Sequence, residues 1–556
     1  MAKTITTDLV TLSTLDALTG WSNDGQWQTN PVLNEDVLIQ GINCSTQRIT
    51  GYSSGPWAAY MGYITAPINF ADSTMHFKQW LRCTSWPSMD TKSGGGLRMF
   101  ASSDTAINII GATAKDTGAG PDKSKLYYID GSETGKSNGW VNYTCSPRGF
   151  DSTQIGTYDS SNLRIFGFGA RSVGIISNKT VNMHADALRY GSKIIATGGT
   201  QNDPVSITDL YLTDSTLTNA WGCVTRGPVG YRFSTKVQMG KTDQTVATYY
   251  VDLNRSFAFS DYPVDNNFYE LSINQNSSYP TSVTFGNEMD TSSGEIVRRG
   301  CSFASEAYPD STSFKAWCLN VNGDATAEFL DCRFTEMDHA TLNANTELSY
   351  CSFMNCGTVN ANDATIKYTK FGDLCHETPI FADAALKIDA TGELPKVTTC
   401  SFLGNYAAIK ITTPGIYTLD SGYFAGNTYD IMNASGGDVT VNAINDSNPS
   451  TYINTSGGST TIRHLHTLTL EDIETDSTGA LIAIYAHDTT TELAVAFDVT
   501  TGTYSYTYDY APNTYIDIVV ISLGYIIERI EGFLLPNTNA SIPIEQIPDR
   551  QYNNPA

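Results

Sequence analysis

The triplet Cys301-Ser302-Phe303 begins a pattern that recurs along this chain as far as Phe424. In each copy a small residue and a phenylalanine stand two positions apart, with another residue between them. Side chains two positions apart lie on the same face of a β-strand, so each copy predicts a short strand with one apolar face. The later copies are Cys332-Arg333-Phe334, Cys351-Ser352-Phe353, Thr369-Lys370-Phe371, Cys400-Ser401-Phe402 and the weaker Gly422-Tyr423-Phe424.

Successive phenylalanines of this pattern are 18 to 31 residues apart, as in stacked repeats with loops of variable length. The intervals are rich in Gly, Asn, Asp and Thr, which form tight corners between short strands. One such turn cannot bury its apolar face alone, but stacked turns share an internal column. We therefore predict a right-handed parallel β-helix over residues 176–465, with Cys and Phe in internal ladders. The alternative is a β-sandwich whose strands share the Cys-x-Phe pattern.

The composition predicts an all-β protein and excludes some partners. The chain has 556 residues and a formal net charge of -24. Apolar residues rarely recur at helical spacing, while Thr, Tyr, Val, Ile, Asn, Gly and Ser are abundant. An acidic chain without basic clusters argues against nucleic-acid binding and against an anionic membrane surface. Neither is predicted as a partner.

Residues 1–175 predict a separate β-sandwich of the jelly-roll or concanavalin-like kind. Alternating runs such as Met75–Cys83 and Leu97–Phe100 are separated by glycine-rich loops. Aromatic faces stack on sugar rings, so exposed tryptophans there would suit sugar binding. A role in the core is the interpretation we favour for most of them. These tryptophans are Trp21, Trp27, Trp57, Trp80, Trp86 and Trp140.

Residues 466–556 predict a small C-terminal β-sandwich with an extended tail. Leu481–Ala486 and Leu493–Phe497 read as strands on either side of a turn at residues 487–490. We expect one face of a tyrosine set to pack inside the sandwich, and the other face to leave aromatic surface of the kind enriched at interfaces. The tail from Ser541 is expected to lie against a neighbour or against its own sandwich. The tyrosine set is Tyr504, Tyr506, Tyr508, Tyr510 and Tyr515.

The same C-terminal region resembles the C-terminal domain of a group of tailed-phage virion proteins, in which a β-helical body precedes such a sandwich. The resemblance lies in Tyr508-Asp509-Tyr510, in Tyr515–Val520 and in the ending Asp549-Arg550-Gln551-Tyr552-Asn553-Asn554-Pro555. It implies a structural virion protein, such as a tail fibre, tailspike, neck or capsid appendage for assembly or host attachment. It implies no activity.

The resemblance also sets expectations for partners and location. β-Helical phage appendages are commonly trimeric, so it implies a homo-oligomer, which we expect to be a trimer. The implied partners are capsid, neck or tail proteins, with host surface polysaccharide as a further candidate. Met1–Asp8 lacks the apolar core of a signal peptide. We therefore expect a protein made in the host cytoplasm and carried in the virion.

The 11 cysteines are an odd number and include no Cys-x-x-Cys motif. Five lie at strand-like positions of the repeat, where reduced thiols behave as small hydrophobes. We expect reduced cysteines, with neither disulfide bonds nor a zinc site. No phosphate-binding loop or metalloprotease motif occurs, so no cofactor or metal is predicted.

The alternative function is a tailspike depolymerase, a glycoside hydrolase or polysaccharide lyase acting on host polysaccharide. Glycoside hydrolysis needs two carboxyl groups facing each other across the bond. The first candidate set is Asp331, Glu336, Asp338 and His339, and the second is Asp373, His376 and Glu377. In an acidic protein such carboxylates are usually solvated loop residues, which is the interpretation we favour. A free-standing lyase or hydrolase is disfavoured by the missing signal peptide.

Two further groups have the chemistry of metal ligands. His464 and His466 share one strand face, and Asn322-Gly323-Asp324 and Asn445-Asp446-Ser447-Asn448 carry oxygen ligands suited to calcium. A strand at a domain junction and ordinary turns, respectively, explain them as well.

Overall fold

The structure is a computed structural model that forms two compact units, residues 1–360 and 361–556. The described residues are 3–23, 32–34, 44–50, 57–71, 76–83, 96–103, 125–131, 141–145, 154–156, 159–172, 180–191, 193–200, 203, 205–206, 208–210, 224–227, 230–233, 236–240, 248–252, 256–259, 269–275, 281–290, 296–305, 317–372, 383–475 and 478–551.

The first part of the first unit is an antiparallel β-sandwich. Strand β1, Thr4–Thr7, precedes it, and the sandwich strands are β2 Val10–Ser13, β3 Trp21–Asn23, β4 Val32–Asn34, β5 Cys44–Thr50, β6 Trp57–Ile68, β7 His76–Cys83, β8 Gly96–Ser102, β9 Lys125–Gly131, β10 Val141–Cys145, β11 Gln154–Gly156, β12 Leu163–Ser172 and β13 Thr180–Gly191. One six-stranded sheet has the order β10-β7-β13-β5-β4, with β2 beside β13. The other has the order β11-β9-β8-β12-β6-β3.

The core of this sandwich is aromatic. Phe166 of β12 lies 5.3 Å from the ring of Phe77 on β7 and 5.3 Å from the ring of Phe70, measured between centroids. Since β7 and β12 belong to different sheets, these rings hold the two layers together. Trp21 packs on Tyr63 and Phe168 within one sheet.

The limits of the sandwich differ from the sequence-based range of 1–175. Its strand β13 extends to Gly191, beyond that range. Strand β1 lies inside the range but pairs antiparallel with residues 194–197, outside the sandwich sheets. The alternation of a half-buried strand is the same in a sandwich and in a β-helix, so it does not tell which sheet a strand joins.

The rest of the first unit is a parallel β-helix. Its strands are β14 Lys193–Thr197, β15 Val224–Gly227, β16 Gly230–Phe233, β17 Lys236–Met239, β18 Thr248–Asp252, β19 Ser256–Phe259, β20 Tyr269–Ile273, β21 Thr281–Phe285, β22 Asn287–Asp290, β23 Ile296–Arg299, β24 Ser302–Ser305, β25 Trp317–Val321, β26 Thr326–Leu330, β27 Arg333–Thr335, β28 Met337–Thr341, β29 Thr346–Ser349, β30 Ser352–Met354 and β31 Val359–Asn360.

The chain of this unit visits three sheets in turn, whose strands are parallel except where β1 pairs with β14 and β15 pairs with β16. The first is β14-β17-β20-β25-β28-β31, with β1 at its end, and the second is β18-β21-β26-β29. The third, which we call the triplet sheet because it carries the Cys-x-Phe copies, is β15-β16-β19-β24-β27-β30. After β21 of the second sheet, the chain forms the antiparallel hairpin β22–β23 before it enters the triplet sheet at β24. Successive strands thus coil through the sheets, which confirms the predicted parallel β-helix.

The second unit contains further coil strands and the C-terminal sandwich. A 3-10 helix covers Leu394–Lys396. The strands are β32 Thr365–Lys367, β33 Lys370–Phe371, β34 Ala384–Ile388, β35 Val397–Thr398, β36 Ser401–Leu403, β37 Ala407–Ile411, β38 Gly415–Asp420, β39 Tyr423–Ala425, β40 Tyr429–Asn433, β41 Val439–Ile444, β42 Tyr452–Asn454, β43 Thr460–Glu471, β44 Ala480–Ala486, β45 Glu492–Val499, β46 Tyr504–Asp509, β47 Tyr515–Ser522, β48 Glu528–Leu534 and β49 Ala540–Pro543.

The coil of the second unit has the same three-sheet cycle. Its first sheet is β34-β37-β40-β42, its second is β32-β35-β38-β41-β43, and its triplet sheet is β33-β36-β39. The phenylalanines of the triplets are buried, and neighbouring ones within each unit stack. Phe303 lies 5.0 Å from Phe334 in the first unit, and Phe371 lies 5.1 Å from Phe402 in the second, between ring centroids. The predicted inward Phe ladder is confirmed in both units.

The corner before each triplet explains why its first residue is small. In every triplet after the first, the preceding residue has a positive φ, as at Tyr350 (58°) and Thr399 (53°), which turns the chain sharply. Where the triplet then begins with Cys or Thr, that side chain points inward and donates to the carbonyl two residues earlier. Cys351 Sγ lies 3.5 Å from Ser349 O, and Thr369 donates its hydroxyl to Lys367 O at 2.9 Å. Cysteine and threonine therefore serve the same purpose at this position.

The C-terminal sandwich begins within one strand. β43 pairs parallel with β41 through residues 460–464 and antiparallel with β46 through residues 465–470. The chain thus passes from coil to sandwich near His464 without a linker. One layer contains β46, β43 and β49, and the other is the sheet β45-β44-β47-β48. Their shared core includes Leu468, Leu470, Ile482, Ile484, Ile516 and Ile518.

Candidate functional site

The first set of catalytic candidates is spread over two corners of the coil. Asp331 and Glu336 have φ of 54° and 58° and stand on opposite sides of β27. At about 3.3 Å per strand residue, more than ~10 Å separates their backbones. Glycosidase carboxyl groups lie about 5 to 10 Å apart. Asp331 and Glu336 therefore lie at different corners of the coil.

Asp338 and His339 are brought together on β28. His339 Nδ1 lies 2.9 Å from Asp338 Oδ2, and both side chains are partly exposed. Glu336 accepts a hydrogen bond from Asn355 Nδ2 at 3.1 Å. Each carboxylate near this corner thus has a partner within the protein.

His339 belongs to a polar row on the outer face of the first sheet. In register across the strands, Glu270 is opposite Cys318, and Cys318 is opposite His339. Glu270 accepts from Lys236 Nζ at 3.3 Å and from Asn320 Nδ2 at 2.9 Å. Burial raises the pKa of Cys318 to about 12, so this thiol stays protonated. In this row Glu270 is thus paired with Lys236 and Asn320, and His339 is paired with Asp338.

The other candidates have structural roles where they are described. His466 is buried beside the rings of Tyr508 and Tyr510, and burial lowers its pKa. Asn448 Oδ1 accepts from the Phe424 backbone N–H at 2.7 Å, and Asn322 donates to Asn274 Oδ1 at 2.9 Å. Among the described residues, no group of three or more His, Cys, Asp or Glu side chains has an arrangement suited to a metal ion. Asp373, His376 and Glu377 lie outside the described residues.

Of the tryptophans whose side chains are described, Trp80 and Trp317 are buried and Trp21 is half-buried. Trp21 donates its indole N–H to Ser13 Oγ at 2.8 Å, and Trp80 is buried. Trp27, Trp86 and Trp140 lie outside the described residues, and the side chain of Trp57 is likewise not described.

The C-terminal sandwich carries an apolar surface on its four-stranded sheet. Leu493, Val495 and Phe497 alternate along β45 and are 42%, 38% and 66% exposed. Cross-strand pairing continues this face: Val495 is opposite Ala483, which is opposite Val519. We define the outer apolar face as Leu481, Val495, Phe497, Ile521 and Leu523.

A groove of about 380 Å³ lies in the outer apolar face. Leu481, Phe497, Ile521 and Leu523 line it, with Tyr525 at its rim. The opposite face of the same sheet already packs into the core through residues such as Ile482 and Ile518. A sheet that covers a core on one side usually has a polar outer side. Around the groove the outer side of this sheet is apolar, whereas Asp517 and Arg529 lie elsewhere on the same side. An exposed apolar patch of this kind is typical of a surface that meets another molecule.

Of the tyrosine set, Tyr515 is 44% exposed, but the other four members do not form the predicted aromatic surface, and the outer apolar face was not predicted. Tyr504, Tyr506 and Tyr510 pack against the core, and buried Tyr508 donates its hydroxyl to Pro536 O at 2.7 Å. Burial raises the pKa of Tyr508 to about 12. These tyrosines occupy every second position, so all share one face of the strand. The other face of β46 is polar, formed by Ser505, Thr507 and Asp509.

The sequence did contain a signal for the outer apolar face. In β45 Leu493, Val495 and Phe497 alternate with Ala494 and Ala496, so both faces of the strand are apolar. Glu492 and Asp498, near its ends, lower the average hydropathy of β45, so the average does not reveal this pattern.

Comparisons with known proteins identify no family. No family model and no curated protein match the chain. One solved structure, reported under "Structural basis for the promiscuous specificity of the carbohydrate-binding modules from the beta-sandwich super family", has a TM-score of 0.21 and 10% identity, and covers 32% of this chain. The chain spans 61% of that structure's length.

A second solved structure is a family 11 carbohydrate-binding module from Clostridium thermocellum in complex with a beta-1,3-1,4-mixed-linked tetrasaccharide. Its TM-score is 0.20 with 14% identity, covering 34% of this chain and 96% of that one. TM-scores this low carry no argument about function. In the part of the chain that is described, no helix is long and apolar enough to cross a membrane.

Proposed function

We propose that this chain is a structural, non-enzymatic component of a tailed-bacteriophage particle: a fibre, spike, neck or capsid appendage that serves assembly, host-surface attachment or both. The observation that carries the proposal is the outer apolar face of the C-terminal sandwich. It adjoins the segment that ends in Asp549-Arg550-Gln551, since Asp549 N–H donates to Gly524 O at 2.9 Å. A solvent-exposed apolar face next to the phage-like ending suits a protein that functions within an assembly.

The coil supports the same proposal. In each unit, parallel strands stacked on an internal phenylalanine ladder make an element whose shape does not depend on a ligand. The proposed partners are copies of the same chain, in a trimer, and the capsid, neck or tail proteins of the particle. The proposed location is the virion, after synthesis in the host cytoplasm.

Mass spectrometry of purified particles tests the proposal. Particles of the phage that encodes this chain, purified through two successive density gradients, should contain it at a fixed number of copies per major capsid protein. Cryo-electron microscopy of the same particles should then locate its coil. A chain that is abundant in the lysate but absent from the purified particles would contradict the proposal.

The depolymerase alternative rests on one feature, the outward Asp338–His339 pair beside Glu336. Purified full-length chain should release no reducing ends or unsaturated sugars from host capsule or lipopolysaccharide. If it does release them, and Asp338→Asn or Glu336→Gln abolishes the release, the enzymatic function replaces the structural one. The variant Asp324→Asn, with its carboxylate at a different corner, is the matched control.

A further inference from the structure

We propose that residues 3–8, which we call the strap, form an autoinhibitory contact. By pairing with β14, the strap occupies the edge of the first sheet, and its displacement lets copies of the chain associate through that edge. Three features of the structure carry the proposal: the direction of β1, the composition of β1 and β14, and the contacts that hold the strap. It holds whether or not the chain is a virion protein.

Strand β1 is an antiparallel end on a sheet that is otherwise parallel in this unit. β14 pairs parallel with β17, and the later strands of the first sheet continue in that direction. β1 instead runs antiparallel to β14, with Ile5 opposite Ala196. The triplet sheet ends in the same way, because β15 is antiparallel to β16. At both places the reversed strand interrupts the repeat, so a further parallel turn cannot extend the sheet.

The composition of β14 makes its edge prone to pair with another chain. It contains Ile194, Ile195 and Ala196 in a row, and an apolar, β-branched edge strand is a template for intermolecular pairing. β1 has only four residues, and none of them is buried. Its main contribution is therefore to cover the backbone of β14. Short strands with charged flanks, here Lys3 and Asp8, are themselves poor templates.

Polar contacts at both ends hold the strap in register. Lys3 Nζ lies 2.7 Å from Asp203 Oδ1 and 3.0 Å from Asp209 Oδ2. At the other end the Asp8 N–H donates to Lys193 O at 3.3 Å, and Asp8 Oδ1 accepts from the Lys193 N–H at 2.7 Å. Ion pairs that reach solvent are weak, and strands near a chain terminus open at low free energy. The strap is therefore easier to displace than the strands with buried side chains.

The hydrogen bonds of β1 alternate in direction, which gives a matched pair of variants. Because Asp8 is hydrogen-bonded to Lys193, Thr6 also points its N–H at β14, where it is opposite Ile195. The N–H of Ile5 then points away from β14. Proline has no N–H, so Thr6→Pro removes a hydrogen bond to β14, whereas Ile5→Pro leaves the ladder complete.

Light scattering after size-exclusion chromatography tests the proposal. Thr6→Pro in the full chain, and a chain that starts at Leu9, should each have a mass that exceeds that of the unmodified chain and rises with concentration. Ile5→Pro should keep the mass of the unmodified chain. An excess of a synthetic peptide of residues 1–8 should return the shortened chain to that mass. Circular dichroism checks that each variant is folded.

A further variant locates the association at β14. Ala196 O accepts from the Gly240 N–H on the β17 side, so the N–H of Ile195 faces the edge that the strap covers. Adding Ile195→Pro to the chain that starts at Leu9 removes a donor from this edge and leaves the ladder with β17 complete. The mass should then stay at that of the unmodified chain.

Three results would overturn the proposal. The shortened chain, once folded, keeps the unmodified mass at every concentration; Thr6→Pro and Ile5→Pro have equal effects; or association persists after Ile195→Pro. If the shortened chain does not fold, the comparison of Thr6→Pro with Ile5→Pro in the full chain decides alone. Absence of the chain from purified particles would contradict the proposed function and leave the role of the strap intact.

Discussion

Phe334 and Phe353 stack in the triplet sheet with ring centroids 4.6 Å apart and ring planes 8° from parallel. Their strands pair in register, so each ring lies directly on the ring of the previous turn. The register of the coil is thus fixed by side chains that are buried from solvent. A slip by one residue would move both rings to the outer face.

Truncation of Phe353 should destabilise the coil. Phe353→Ala removes one ring from the stack and leaves a cavity that parallel neighbours cannot fill, so we expect a loss of about 3–5 kcal/mol in unfolding free energy. Urea denaturation of the full chain measures it. Ile416→Ala, at an exposed position of the coil, should change stability by no more than about 0.5 kcal/mol. Equal effects of the two substitutions would contradict the inward ladder.

The thiols of the triplets should be unreactive in the native protein. Cys332, Cys351 and Cys400 are free and buried, and burial raises the pKa of Cys400 to about 12. The thiolate is the reactive form, so maleimide labelling should be slow until the protein is unfolded. Mass spectrometry of the labelled peptides assigns each site, with partly exposed Cys356 as an internal comparison. Rapid native labelling of Cys400 would contradict the structure.

Replacing the threonine at one corner of the coil, where φ is positive, should stabilise the coil. Thr399 is exposed and has a φ of 53°, which is costly for a β-branched residue, whereas asparagine tolerates it. We expect Thr399→Asn to raise the unfolding free energy by up to about 1 kcal/mol. Asn445 has a φ of 51° at another corner, so Asn445→Thr should have the opposite sign. Thermal melting of both variants measures this, and effects of the same sign would refute the corner argument.

The ladder could be predicted because it depends on local information. A cysteine or threonine two positions before a phenylalanine, repeated at the spacing of a coil, places both side chains on one face. The pairing of β1 with β14 could not be predicted in this way. Ile5 is opposite Ala196, and nothing in the local pattern of either strand specifies a partner so far along the chain.

The candidate sites were harder to predict than the fold. Asp331 and Glu336 are close in sequence, but positive φ values on either side of β27 send them to different corners. The tyrosines of β46 were expected on two faces, although their even spacing places them on one. The outer apolar face required the knowledge that β45 and β47 share a sheet with β44, which only the pairing reveals.

The C-terminal sandwich should show a pH-dependent contribution from His487. A hydrogen bond of 2.7 Å to Asp517, together with Asp488 nearby, raises the pKa of His487 above its usual value of 6.5. A raised pKa in the folded state stabilises it below the unfolded value of about 6.5, and this contribution is lost as pH rises through the folded pKa. His487→Gln should therefore lower the melting temperature more at about pH 5.5 than at about pH 9.

The titration of Asp517 sets the lower end of the pH range in which its contact with His487 stabilises the sandwich. The Gly532 N–H, which donates at 2.8 Å, and then His487 lower the pKa of Asp517 below its usual 3.8. Its contribution is present above that value and is lost as pH falls through the folded pKa. In an Asp517→Asn background, His487→Gln should change the melting temperature much less at about pH 5.5, because the proton on the imidazole then lacks its main partner. A pH-independent effect of His487→Gln would contradict the assignment.

The final segment of the chain packs on its own sandwich as far as it is described, through to Gln551. β49 pairs with β43, and Ile544 is 2% exposed, with its N–H donating to Glu471 O at 2.9 Å. Ile547, three residues later, is 63% exposed. Ile544→Ala should therefore cost about 2–5 kcal/mol of unfolding free energy, while Ile547→Ala should stay within about 0.5 kcal/mol.

The difference in burial between Ile544 and Ile547 determines which truncation can test the tail, residues 541–556, as an attachment element. Deleting residues 541–556 removes β49 and Ile544 from the core, so a loss of virion incorporation would report unfolding of the sandwich. A chain that ends at Gln551 keeps both and removes only the last five residues. We expect this shorter chain to melt at the temperature of the full chain. If Ile544→Ala and Ile547→Ala prove equally mild in chemical denaturation, the tail does not belong to the core, and the longer deletion becomes the valid test.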